Sequence, residues 1–424
     1  MTWTPPPRAE WVAAVNAGLI VPISEVAARP FNRDGLLAEA RATLGVSSGR
    51  GLAARDFGDD AFIEPLDVLV RALEEEARLT VLGRWITRRF VLRMLEVRLQ
   101  LSAYIAADPA VRDEVIHEPL FVTGAPRTGT SILYALLACD PTHRVPEGWE
   151  FLRPVPPPDP DSFDVDARIP LADDELRLPA QVVGDLDAIH EYSGRMPKEC
   201  VSAMSFAFRS EEFTARYHVP SYVDWLQHCD MRPAYDMHRL VLQVLQRRMP
   251  TSRWVLKSPV HVHSLPTLLA VYPDARLAIT HRDPLTVLPS VTSLVATLRV
   301  AHSDHAEFAE IGRYHADLYQ RALDGLVTLA ERGLPDPSRT FHGQYADFLG
   351  DPIGAVGKLY AHFGRTLDAD VRDRIARHLD AKPQGHHGVH RYSFDDLGLD
   401  RDVERSRFSR YRAHFQVPDE SARG

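Results

Sequence analysis

Cysteine is scarce in this chain of 424 residues: Cys139, Cys200 and Cys229 are all it has. They lie far apart, are odd in number and match no CxxC spacing. That pattern speaks against a disulfide framework and a zinc site, and it fits a reducing compartment. An excess of positive charge is also missing. The formal net charge of −9 excludes a broad nucleic-acid-binding face, though not a local basic pocket for a small anion. Long apolar runs are absent as well, and the opening MTWTPPPRAEWVAAVNAG has no basic stretch followed by an apolar one. Neither a signal peptide nor a transmembrane helix is therefore expected, and the expected location is the cytoplasm. What the chain does have is an ordinary globular balance, 45% hydrophobic and 25% charged. It is long enough for one large α/β domain with extra helices or for two domains of ordinary size.

Along the chain, residues 1–115 read as helical. PLDVLVRALEEEARLT (65–80) and RWITRRFVLRMLEVRLQLSAYIAA (84–107) carry apolar residues at helical spacing, and the arginines of the second read as a solvated face. PLFVTG (119–124) then reads as a buried strand, followed by a Gly/Thr/Ser loop and the helical run ILYALLAC (132–139). The proline-rich segment 153–170 predicts a surface excursion, and 219–249 predicts helix. RWVLK (253–257), ARLAITH (275–281) and RTFHGQ (339–344) are further strand candidates, each ahead of a helical run. Strands alternating with helices predict an α/β fold, a P-loop-like parallel sheet flanked by helices with additional N-terminal and inserted helices. The expected organisation is a helical region 1–115 packed on a core of 116–424, with a helical insertion at about 150–250. Ligands of such sheets bind beyond the carboxyl ends of the strands.

Two of those ends carry anion chemistry. Gly124-Ala125-Pro126-Arg127-Thr128-Gly129-Thr130-Ser131 follows a strand and opens a helix. Converging backbone N–H groups and a helix N-terminus make such a turn a phosphate nest. The spacing matches the nucleoside triphosphatase loop G-x-x-x-x-G-K-[ST], but Thr130 replaces its lysine. That loss argues against ATP or GTP hydrolysis, and Arg127 places a cation inside the loop instead. The second site is His281-Arg282-Asp283-Pro284 at the end of ARLAITH, with Ser290 eight residues past Arg282. Arg282 can fork onto a phosphate there, and Ser290 can add a hydroxyl about two helical turns on.

PRTGTS after a strand, LKSPVH in the middle and THRDP with its distant serine together resemble the PAPS-dependent sulfotransferases, PAPS being 3′-phosphoadenosine 5′-phosphosulfate. The bacterial-type branch is the nearer likeness, and it runs with interruptions from about residue 115 to the C-terminus. The resemblance implies that Arg127, Thr128, Gly129, Thr130 and Ser131 hold the 5′-phosphosulfate, and that Arg282 and Ser290 hold the 3′-phosphate. It sets Tyr345 near the adenine, and His390 and Arg391 in a loop closing over the nucleotide. PAPS is then the co-substrate, and no metal is required. The GHHG pair His386 and His387 lacks a carboxylate or cysteine pattern beside it, so it is not read as a metal tract.

Sulfuryl transfer needs a cation at the leaving oxygen and a base for the acceptor hydroxyl. Lys257 ends its strand and takes the first role by resemblance, with Arg127 assisting. Glu150, His261 and Glu147 are candidates for the base, in that order. The chain departs here from the animal cytosolic branch, whose histidine base does not carry over. The expected reaction is transfer from PAPS to a hydroxyl of a small-molecule or lipid-like acceptor. A P-loop kinase or NTPase, and a nucleotide-binding protein without turnover, are the alternatives. Aromatic residues of the insertion (Trp149, Phe151, Tyr192, Phe206, Phe208, Phe213, Tyr217, Tyr222 and Trp225) offer an apolar cleft, although most are expected in the core. Neither the acceptor nor the oligomeric state is legible.

Overall fold

The computed structural model describes residues 3–44, 57–184, 186, 193–249, 253–381 and 393–420. Four strands make one sheet: β1 (Leu120–Thr123), β2 (Val255–Lys257), β3 (Arg276–His281) and β4 (Thr340–Gln344), all parallel, in the order β2-β1-β3-β4. They coincide with the four apolar runs. β1 is buried along its whole length, which is why it reads as unbroken hydrophobics rather than as an alternation. Val122 lies opposite Lys257 on one side and Ala278 on the other. The carboxyl ends of these strands therefore lie together, with the loops that follow them.

Helices surround this sheet. The longest, α1 (Val81–Ala107), is followed by α2 (Thr130–Leu137), the short α3 (Gly148–Leu152) and α4 (Arg168–Val182). The stretch expected as helical at 219–249 forms two helices, α5 (Pro220–His228) and α6 (Arg232–Gln246), broken where Cys229 turns to extended backbone. After β3 come α7 (Pro284–Val300) and α8 (Phe308–Glu331). The proline-rich segment holds only the 3-10 turn Phe163–Val165 before α4, but Pro154, Pro157 and Pro158 are buried, so it is not wholly a surface excursion. The main hydrophobic cluster runs from Phe31 to Val417 and joins N-terminal helices to the sheet domain.

The arginines of α1 overturn their sequence reading. Arg88, Arg93 and Arg98 are buried, not solvated. Arg88 pairs with Glu39, Arg93 bonds Glu175 and the carbonyl of Leu152, and Arg98 donates to the carbonyls of Phe206 and Asp59. A buried guanidinium needs partners for its donors, and these three find theirs on the N-terminal helices and on the insertion, with only Arg98 Nε left unmet. They pin α1 between the two.

Candidate functional site

The loop after β1 needs its glycines. Gly124 (φ +141°) has the Thr280 carbonyl where a Cβ would stand, at 2.4 Å, and Gly129 (φ +92°) would press a Cβ to 3.1 Å from the Tyr345 ring. Arg127 between them also takes a positive φ, 65°, a costly conformation for a side-chain-bearing residue that curls the backbone into a nest. The Thr128 hydroxyl is used internally. It donates to the Ala125 carbonyl or shares a hydrogen with Thr280, at 2.6 Å in each case, fastening the loop to β3. That hydroxyl is therefore committed to the loop and to β3. Thr130 opens α2 and is buried, whereas Ser131 is exposed.

Lys257 arrives at this loop because β2 pairs with β1 in register. Its ammonium donates to Ser131 Oγ at 3.0 Å and forms an ion pair with Glu199. Glu199 is a residue the sequence did not single out. It is brought there by its neighbour: the Cys200 N–H donates to the Lys257 carbonyl at 2.9 Å, so the PKEC turn docks on the end of β2.

On the other side of the loop, Arg127 Nε donates to Ser290 Oγ at 3.1 Å, and Arg282 donates to the Arg127 carbonyl at 3.0 Å. The two anion sites read from the sequence as separate thus meet at Arg127, whose side chain points toward Ser290. The Arg282 guanidinium lies 3.9 Å from the centre of the Tyr345 ring. Its partner is not the adjacent Asp283, which caps α7 by accepting from the Leu285 N–H. It is Glu420, in a forked pair with contacts of 3.0–3.1 Å. Arg391 and His390, with His386, His387 and Tyr192, lie outside the described residues.

The three bases read from the sequence are not at this loop. Glu150 is sealed from solvent in an ion pair with Arg144 and accepts from the Glu147 N–H in a capping box at the start of α3. Burial raises its pKa against the pull of Arg144. Glu147 accepts from the Trp149 indole at 2.8 Å. His261 is fully buried with Nδ1 at 2.9 Å from the Tyr235 hydroxyl, and burial pushes its pKa well below the usual histidine value. None of the three lines the cavity described next. We expect Glu150→Ala to cost about 3 kcal/mol of stability, the scale for breaking an ion pair whose carboxylate is fully buried. Thermal unfolding would show the loss, while the turnover of the folded protein would stay unchanged.

That cavity, of about 270 Å³, opens beside the loop, with Pro126, Ser131, Lys257 and Glu199 in its wall. One part of its apolar wall comes from α7, where Val291, Leu294, Val295 and Leu298 recur at helical spacing on one face. The same helix carries Ser290 to Arg127, so one element shapes both the anion site and the apolar cleft. The aromatics of the insertion are mostly in the core, as expected: Trp149, Phe151, Phe206, Phe208, Phe213, Tyr217 and Tyr222 are all buried, and none lines the cavity. Among the described residues, no group of three or more His, Cys, Asp or Glu side chains is arranged to hold a metal.

Comparison with known proteins bears directly on this arrangement. Residues 119–369 match the model of the sulfotransferase family. The omega-hydroxy-beta-dihydromenaquinone-9 sulfotransferase Stf3 of Mycobacterium bovis is 28% identical over 309 residues, 69% of this chain and 75% of that protein. Among solved structures, sulfotransferase STF1 of Mycobacterium tuberculosis is 32% identical with a TM-score of 0.74, covering 89% of this chain and 98% of its own. Sulfotransferase STF9 of Mycobacterium avium is 27% identical with a TM-score of 0.80, covering 93% and 99%.

Proposed function

The chain belongs to the sulfotransferase family and is a PAPS-dependent sulfotransferase; from that premise we propose that its acceptor is a lipid-like alcohol whose hydroxyl reaches the donor through the apolar cavity beside the phosphate loop. The observation that carries this is the junction itself: a cleft walled by Val291, Leu294, Val295 and Leu298 ends at Ser131, Lys257 and Glu199. An apolar chain gains about 25 cal/mol for each Å² it removes from water there, and a sugar or peptide would leave its polar groups unmet. A second cavity of about 560 Å³ lies next to it, with Val201, Glu211, Val260, Tyr314 and Leu318 in the walls of both. Stf3, named for an omega-hydroxy-dihydromenaquinone, supports the same acceptor class.

The residues on the donor side suit a nucleotide with phosphates at both ends. We assign Arg127, Thr128, Gly129, Thr130 and Ser131 to its 5′ end, Arg282 and Ser290 to its 3′-phosphate, and Tyr345 to the face of the adenine. The nest, the guanidinium fork and the ring beside it are all built from residues already in place. We also place the reaction in the cytoplasm, a reading supported by three free cysteines; no single helix among the described residues is long and apolar enough to cross a membrane.

Transfer of labelled sulfate from PAPS to alcohols graded from short and polar to long and apolar tests the acceptor class. We expect kcat/KM to rise with apolar length, and a preference for sugars or short diols would reject the reading. Leu294→Trp should fill the cleft. Overpacking of that kind costs on the order of 1–3 kcal/mol, so KM for a long alcohol should rise by about tenfold or more. PAP affinity, measured by calorimetry, should not change.

A further inference from the structure

The reaction needs a group that takes the acceptor's proton, and none of the three residues first considered for it lines the cavity. The cavity wall offers Glu199, Glu211, Glu212, Lys198 and His315. Four of these are committed elsewhere. Glu212 gives one oxygen to Arg216 and the other to Ser202 and Ser205. Burial alone would raise its carboxyl, but Arg216 and Lys198 outweigh burial and hold it at about 2, too acidic to keep a proton. Lys198 lies within that same charge group. Glu211 faces His263, 3.5 Å away and toward the second cavity. His315 lies on α8, and burial lowers its pKa to about 3. Only Glu199 is tied to the phosphate loop, through Lys257 to Ser131.

We infer that Glu199 is the general base for the acceptor hydroxyl, and that its ion pair with Lys257 holds the base and the leaving-group cation as one unit. This rests on reading the cavity as the acceptor site. The acceptor O–H bond breaks toward the Glu199 carboxylate as its oxygen bonds to sulfur. The sulfur–oxygen bond to the phosphate breaks, and its electron pair stays on the phosphate, where Lys257 supplies positive charge. Glu199 keeps a partner meanwhile: Ser258 Oγ lies 3.4 Å from its second oxygen. The paired carboxylate and lysine thus face opposite ends of one displacement, the base at the incoming oxygen and the cation at the outgoing one.

A base and a mere support for Lys257 differ in one measurable respect. A base matters less as the acceptor becomes more acidic, because such an acceptor gives up its proton unaided. Support for the leaving-group cation matters equally for every acceptor. The experiment is labelled transfer from PAPS to a series of phenols graded from tyrosine-like acidity to much stronger acids, with wild type, Glu199→Gln and Glu199→Asp. The wild-type rates report on the acceptor reading, and only the ratio of variant to wild type reports on Glu199. For Glu199→Gln we expect kcat to fall about 100-fold on the weakest acid, the scale of general base catalysis. The deficit should shrink steadily along the series, with PAP affinity unchanged by calorimetry. Glu199→Asp keeps a carboxylate and should retain the wild-type dependence on acidity at a lower rate. A deficit of equal size across the series, or no deficit, would overturn the assignment. So would a steep dependence in Glu199→Asp.

Discussion

Replacing Lys257 by methionine should lower kcat by about 1,000-fold and leave PAP affinity nearly intact, the pattern for a charge used chiefly in the transition state. Three features of its setting support so large an effect. Lys257 is buried, at 3% exposure, so its charge acts with little screening by water. It is held at the end of a strand rather than on a loop, by pairing of β2 with β1, and its ammonium already touches the hydroxyl of Ser131 in the phosphate loop. It costs no reorganisation at the moment of reaction, because Glu199 and Ser131 fix its position beforehand. Methionine keeps most of the aliphatic bulk and removes the charge, so the loss measures electrostatics rather than packing. Single-turnover rates with PAPS and a long alcohol, beside calorimetry with PAP, would check it. A parallel loss of PAP affinity and kcat would instead make Lys257 a binding residue.

What could be read from the sequence follows the range of the interactions involved. The four strands and the loop Gly124–Ser131 were legible because their signals are contiguous: an apolar run, a glycine where φ must be positive, a helix start. Glu199 was not. It meets Lys257 across 58 positions of sequence, and its turn docks through a backbone bond from Cys200 that no side-chain pattern announces. Glu150 was misleading for the opposite reason. A carboxylate some twenty residues past the loop looks available until the chain folds, when Arg144 and the start of α3 enclose it. Arg88, Arg93 and Arg98 of α1 misled in the same way, since charged residues between apolar ones describe a solvated face unless another element lies across them. Here Glu39 and Glu175 do. Local patterning thus showed where the sheet ends and which loop is the nest. It did not show which distant carboxylates the fold delivers there.

Opposite shifts in PAP affinity should follow from two substitutions at Arg282 and its partner. Arg282→Ala should weaken binding by on the order of 100-fold, because it removes a fork of two charge-assisted hydrogen bonds worth about 1.5–3 kcal/mol each, partly replaced by water. Glu420→Gln should tighten it about fivefold. The Glu420 carboxylate occupies both Nε and Nη2 of Arg282, so a phosphate at that guanidinium competes with it. A partly exposed ion pair is worth up to about 1 kcal/mol, which is the size of the advantage gained when the competitor is neutralised. The competitor is well anchored: the Glu420 N–H donates to Asp283, and the adjacent Asp419 pairs with Arg405 and Arg412. Arg282→Lys keeps the charge but not the fork, and its affinity should fall between wild type and alanine. In the double variant Arg282→Ala with Glu420→Gln, the glutamine should no longer help, because the carboxylate has nothing left to block. Calorimetric titration of the four proteins with PAP closes the cycle. Equal tightening by Glu420→Gln in both backgrounds would mean that the tail's charge acts on the nucleotide at long range rather than by holding Arg282.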